Sequence, residues 1–331
     1  MLPPRLALFA VALAAASALF ACSPAAVRPM SAGDDPSLRL TALTALDQRV
    51  ARVAQRLSED NADLCPAVRL SAGWTLHSAS QYSRELQPHA RSRFGLEGDL
   101  PGVLAAPPTS AAAAAGLREG DLIVSVGDVA LDRGSARAAP AFEGLAANIA
   151  ALDRALADGT TRLGVRRGEE LLSVSVQPQR SCGYEVQLNP SDELNARADG
   201  RRLFISTALA GFAESDDELA VILGHELAHH VLRHRTWSDI GGAGRVANES
   251  AAVSGAGSQE QQADRVGLFL AARAGYDTRI AAAFWRRFGA ANWRVRYPQL
   301  RHASAESRAR ALEAVQVEID ARRARGEPLL P

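Results

Sequence analysis

His225 and His229 stand four residues apart in Gly224-His225-Glu226-Leu227-Ala228-His229-His230, with Glu226 beside the first. On a helix, positions i and i+4 share a face. The two imidazoles can therefore grip one divalent metal, while Glu226 projects toward the metal's open position as general base for a water. That donor set is the chemistry of a zinc hydrolase acting on peptides. Two imidazoles leave a catalytic zinc one ligand short, and Glu260-Gln261-Gln262-Ala263-Asp264 offers it downstream. Glu260 can ligate the metal and Asp264 can accept the other ring N–H of a ligand histidine. Read without the upstream motif, the same segment is a solvated acidic helix face.

These side chains need rigid, largely dry support. Asp216-Asp217-Glu218 precedes the apolar run Leu219, Ala220, Val221, Ile222 and Leu223, which predicts an acid-capped, buried helix carrying the motif. Val266, Leu268, Phe269 and Leu270 predict a second, largely buried helix running to about Gly275. Residues 241–258 between them are rich in Gly, Ala and Ser and read as a flexible loop or frayed helix, with a mobile flap as the alternative. His230 points roughly 100° away from His229 on a helix, so His230 and His234 read as packing or surface residues. Trp285 and Trp293, near Phe284 and Phe288, are expected to pack a C-terminal helix.

Residues 192–312 resemble the catalytic domain of the HtpX-like and CaaX-prenyl-protease-like zinc metallopeptidases, which are glutamate-liganded zincins. The likeness rests on Asn195-Ala196-Arg197-Ala198, on Asp217-Glu218-Leu219-Ala220 through His229, on Glu260 to Asp264, and on His302 followed six residues later by Arg308. It implies one Zn2+ per chain on His225, His229 and Glu260, a substrate-side strand at Asn195 to Ala198, and protein or peptide substrates. It also implies that His302 and Arg308 sit beside the metal as candidates for steadying an oxyanion. Ala303 stands where that family usually has proline, which leaves the turn around His302 open. The other reading of the pair is a surface histidine and one arginine of a basic helix.

After Arg5, residues 6–20 form a short apolar, alanine-rich stretch ending in Leu19-Phe20-Ala21-Cys22, a signal peptide with a lipobox-like ending. The likeness to bacterial lipoproteins implies cleavage before Cys22, acylation there and a lipid anchor in the membrane. An uncleaved signal anchor is the alternative, although the run is short for a bilayer span. Ser23 in place of Asp favours, by the same likeness, the outer membrane, with the periplasmic face as the default. No later segment has an uninterrupted apolar run of about 20 residues. With Cys22 spent on lipid, Cys65 and Cys182 remain, and two thiols in an oxidising compartment suggest one disulfide. Two free buried thiols are the alternative.

Between those cysteines, Ala115-Gly116-Leu117-Arg118-Glu119-Gly120-Asp121 and Leu122-Ile123-Val124-Ser125-Val126-Gly127-Asp128 read as a turn, a strand and a second turn. Residues 142–156 have helical periodicity, and 163–166 with 171–176 form a hairpin around Arg167-Gly168-Glu169. This order resembles a PDZ domain of the bacterial protease type. Phe94-Gly95-Leu96 stands where such domains place their carboxylate-binding loop, which implies a C-terminal peptide as ligand in the groove. A domain that only packs on the protease or restrains access to it is the other reading. Residues 38–57 have apolar residues at helical spacing and read as an amphipathic helix.

The chain has 37 basic and 37 acidic residues and no long charge run, which removes support for nucleic-acid binding. All basic residues are arginine. The fold expected is α+β, a mainly helical zincin-type domain with a small sheet at 183–320, preceded by a PDZ-like β-rich domain at 93–179. Residues 1–21 would be the signal peptide, 22–92 an N-terminal helix with linking strands, and 321–331 a tail. The function expected is a zinc endopeptidase of the bacterial envelope that degrades misfolded or misassembled proteins. The alternative from another class is a PDZ-based binding and quality-control module, chaperone-like, with little or no proteolysis.

Overall fold

Asp35 accepts a hydrogen bond from the Ser37 backbone N–H at 2.8 Å, and Pro36 occupies the first turn, where its missing N–H leaves nothing unpaired. The helix they start, α1 (Pro36–Asp60), is the first element of a computed structural model that describes residues 35–134, 140–198, 202–234, 249–292 and 304–331. Residues 1–21, Cys22 and His302 lie outside the described residues. Two apolar cores form, and α1 belongs to both. Leu40 near its start is buried with the β-rich unit, whereas Val50, Val53, Ala54 and Leu57 are buried with the helices that follow.

The β-rich unit runs through β1 (Val68–Ser71), β2 (Thr75–His77), α2 (Gln87–Phe94), β3 (Gly102–Ala105), α3 (Ala111–Ala114), β4 (Leu122–Val126), β5 (Val129–Ala130), α4 (Glu143–Ala157), β6 (Thr161–Arg167) and β7 (Glu170–Val176). One antiparallel sheet has the order β2-β3-β4-β6-β7, with β5 on β4. Alternate residues Thr161, Leu163 and Val165 of β6 are buried, as a half-covered sheet requires. The sheet takes in β2, so this unit draws on chain ahead of residue 93. Phe94-Gly95-Leu96 departs from the expected carboxylate loop. Phe94 ends α2, Gly95 caps it in the left-handed conformation (φ +64°), and the Phe94 and Leu96 side chains are core residues, 2% and 3% exposed. Phe94 packs edge-on against His77, with ring centroids 4.9 Å apart.

The chain then enters β8 (Gln179–Cys182), β9 (Glu185–Asn189), β10 (Ala196–Ala198), β11 (Arg202–Ser206), α5 (Thr207–Phe212), α6 (Asp216–Val231), α7 (Glu249–Arg273), α8 (Ala281–Ala291) and α9 (Ala305–Ala324). Mixed helices and sheets make the fold α+β. Strand β8 pairs back on β1, with Val68 opposite Cys182, and Cys182 is bonded to Cys65 across a Cα–Cα distance of 5.5 Å. This neck closes the β-rich unit into a loop of sequence separation 117. Closing a loop that long stabilises a fold by about 4–5 kcal/mol in the chain-entropy account. Strands β10-β11-β9 form a small sheet, antiparallel then parallel, with β10 on the edge beside α6. Helix α7 already begins at Glu249, so part of the segment expected as a loop or frayed helix, 249–258, is helical; 241–248 lie outside the described residues. Helix α9 continues to Ala324, and Leu329 packs on the core, so residues 321–331 are not a free tail. Among the described residues no helix is long and apolar enough to cross a membrane.

Ser215 caps α6 by accepting from the Glu218 N–H at 3.2 Å, and Asp216, Asp217 and Glu218 fill its positive first turn. Arg287 of α8 pins the buried Glu218 with two bonds of 2.8 and 2.6 Å. Helix α6 then crosses α7 at two glycines. A Cβ on Gly224 would sit 2.6 Å from the Gly267 carbonyl oxygen, and one on Gly267 would sit 2.6 Å from the His225 amide nitrogen. The two backbones touch, with no room for a methyl group. In an open helix Gly→Ala gains about 1 kcal/mol. Here Gly224→Ala should destabilise by about 1–3 kcal/mol, the usual cost of overpacking, as read from the urea midpoint.

Candidate metal centre

The glycine crossing brings His225 and His229 of α6 against Glu260 of α7. His225 Nε2 lies 3.2 Å from His229 Nε2 and 3.4 Å from Glu260 Oε2, and His229 Nε2 lies 3.6 Å from Glu260 Oε1. Ligands about 2.1 Å from a tetrahedral zinc are about 3.4 Å from one another. These three atoms therefore form one face of a zinc-sized tetrahedron, and two imidazoles with one carboxylate are the donor set of a catalytic site with an open position. The residues present fit the ion.

Behind the ligands is a buried polar stack. Asp264, one turn beyond Glu260, accepts from His225 Nδ1 at 2.9 Å, which leaves Nε2 free to ligate. Arg308 of α9 donates to both oxygens of Asp264, at 2.7 and 2.5 Å, and lies on the Trp285 ring 3.6 Å from its centroid. Its Nη2 is 3.9 Å from Glu260 Oε2. The expected oxyanion role for Arg308 does not match this geometry. The guanidinium is buried on the Nδ1 side of His225 with Nε and Nη2 engaged by Asp264, so it braces the ligand shell. Trp285, expected only as core packing, is the floor on which Arg308 rests.

Glu226 sits next to the ligands and has no hydrogen-bond partner among the described residues. Ala196 to Ala198 lie on β10, and the Asn195 carbonyl accepts from the Ser206 N–H at 2.9 Å, so this segment forms a sheet edge beside α6. His230 stacks on Tyr184, with centroids 5.5 Å apart. His234, read from sequence as a packing or surface residue, has its Nδ1 3.0 Å from His229 Nδ1 and its Nε2 3.2 Å from Gln262 Oε1. The sequence signal that could have found it is its place just beyond the end of the motif helix, where the chain turns back.

Burial alone would lower the His225 imidazole, but hydrogen bonds to Asp264 and Glu260 carry it up to about 9. Burial, with His225 beside it, holds His229 down at about 4. Burial pushes Glu260 up, yet its bond to His225 and the nearby Arg308 bring it down to about 2. Burial likewise opposes ionisation of Asp264, and Arg308 and His225 hold it below the usual carboxylate range. Burial and Glu260 raise Glu226. Without metal near neutral pH, His229 is neutral, Glu260 is ionised and His225 carries one proton that a metal must displace. Zinc uptake should therefore release about one proton from the ligands between pH 7 and 8. Apparent affinity should rise about tenfold per pH unit up to the His225 value and fall as pH drops. Calorimetry in buffers of different ionisation enthalpy measures both.

Residues 165–255 match the sequence profile of peptidase family M48. The matched stretch contains His225, Glu226 and His229 and ends before Glu260, so the match does not reach Glu260, Asp264 or Arg308, which the structure brings to the site. The chain matches no curated protein. Among solved structures it is similar to the HtrA3 PDZ domain bound to a phage-derived ligand, at 20% identity over 34% of this chain and 89% of that one, with a TM-score of 0.26. The M48 match supports a metallopeptidase of a zinc-dependent family, with proteins as its substrates.

Proposed function

We propose that this chain is a zinc endopeptidase of the bacterial cell envelope, lipid-anchored through Cys22, that removes misfolded or misassembled envelope proteins. The observation that carries the enzymatic part is the tetrahedral face of His225, His229 and Glu260, with Glu226 beside it making no side-chain hydrogen bond among the described residues. When bound, zinc supplies a Lewis acid that polarises the scissile carbonyl. Glu226 takes a proton from the attacking water and delivers it to the leaving amine, and its raised carboxyl suits both transfers. Among the described residues β10 is an edge strand beside α6, which suits an extended substrate added as a strand.

The envelope location rests on the sequence of residues 1–23 and accords with the Cys65–Cys182 disulfide, since such bonds persist in oxidising compartments. The PDZ reading of the β-rich unit rests on its order of strands and helices. Its edge strand β2 faces a cleft of about 580 Å³, lined in part by Trp74, Leu76, Phe142 and Ile149, that could take an extended peptide. Phe94 ends α2 and the Gly95 N–H already donates to the Arg91 carbonyl at 2.9 Å, so part of the backbone donor set that a carboxylate would need there is engaged.

Glu226→Gln should cut cleavage of unfolded casein by about a thousandfold while zinc content stays at that of wild type. Undiminished cleavage by a zinc-loaded Glu226→Gln protein would remove the general base from the account. Zinc uptake with no cleavage by either protein would favour the binding module.

A further inference from the structure

The end of α6 is built around a residue that no catalytic motif requires. After Val231 the chain closes the helix with Arg233 N–H donating to the His230 carbonyl at 3.1 Å and His234 N–H to the His229 carbonyl at 2.9 Å. Such a closure needs a left-handed residue between them, usually glycine. Here it is Arg233, at φ +52°, the one non-glycine residue with positive φ among those described. The turn brings His234 back over the last helical turn, onto His229. An apolar contact commonly occupies that place; in this chain it is a contact between two imidazoles, with centroids 5.1 Å apart.

With Nε2 of His229 given to the metal, the contacts assign the protons. His229 presents Nε2 to the ligand cluster, so its Nδ1 carries the hydrogen, and His234 Nδ1 at 3.0 Å must accept it. That requires the His234 proton on Nε2, where Gln262 Oε1 lies 3.2 Å away to receive it. Every donor then faces an acceptor: His229 Nδ1–H to His234 Nδ1, and His234 Nε2–H to Gln262 Oε1. His225 has a carboxylate behind it for the same purpose, but among the described residues no carboxylate bonds His229 Nδ1.

We propose that His234 is a positioning residue for the metal site. It holds His229 in the Nε2-ligating tautomer and orientation, and Gln262 keeps His234 itself in the accepting form. The proposal rests on the zinc reading given above. It assigns to the helix end a role that the His-Glu-His motif leaves unfilled, and it explains why the chain tolerates Arg233 in a conformation that favours glycine.

The test is zinc affinity of the full chain by competition with a chromophoric chelator, for wild type, His234→Ala and His234→Asn, alongside the thermal midpoint of each metal-free protein. Removing an outer partner of a metal-bound histidine typically costs about 10- to 100-fold in metal affinity. His234→Ala should show that loss. His234→Asn, whose Oδ1 can accept in place of Nδ1, should stay within about threefold of wild type by keeping that bond. A merely structural role would lower the metal-free midpoint without distinguishing Asn from Ala in zinc affinity. Equal affinities for wild type and His234→Ala, or no rescue by Asn in a folded protein, would overturn the proposal. Failure of wild type itself to take up zinc would instead contradict the zinc reading on which it stands.

Discussion

The contact between Gly224 and Gly267 is the constraint on which the site depends. A tetrahedral face with edges of 3.2–3.6 Å must be assembled from two helices that are separate in sequence. Ordinary helix pairs sit 8–10 Å apart, held off by their side chains. Here the absence of both Cβ atoms lets the backbones meet one residue from His225, so a carboxylate from α7 reaches imidazoles on α6. Apolar burial on both sides of the crossing, by Leu223 and Leu227 on α6 and Ala263 and Leu270 on α7, makes the approach rigid.

Close approach alone would leave a cluster of buried titratable groups in conflict, and the remaining helices resolve it. Arg308 from α9 and Trp285 from α8 enclose Asp264, whose charge in turn orients His225. The layers run outward from ligand to carboxylate to guanidinium to aromatic face, each satisfying the polar atoms of the one before. The same α8 anchors the start of α6 through Arg287 and Glu218. One short helix thus fixes the motif helix at its N-terminus and braces its ligands near the other end.

The parts of this arrangement that were legible in sequence are those written in local spacing. The four-residue step from His225 to His229, the same step from Glu260 to Asp264, and the hairpin about Gly168 are short-range patterns, and the structure forms them as helix faces and a β-turn. What sequence concealed depends on tertiary direction. The three-residue strand β2 is too short to show alternation, so its membership in the sheet was not visible. Gly95 could serve a loop or a helix cap, and only the bond from its N–H to the Arg91 carbonyl decides between them. The Gly, Ala and Ser content before Gln259 hid the start of α7, since Gly and Ser weaken the helix signal there. Arg308 was recognisable as a site residue, but which side of His225 it would occupy was not. His234 looked like surface because a side chain beyond a helix end takes its direction from the turn.

The central claim is a zinc held by two histidines and one carboxylate, with a position left for chemistry. X-ray absorption at the zinc edge on the purified full chain tests it most directly. The account predicts two imidazole nitrogens at about 2.0 Å with oxygen neighbours completing four- or five-fold coordination, and no sulfur. A sulfur neighbour at about 2.3 Å, or an all-oxygen shell without imidazole scattering, would contradict it.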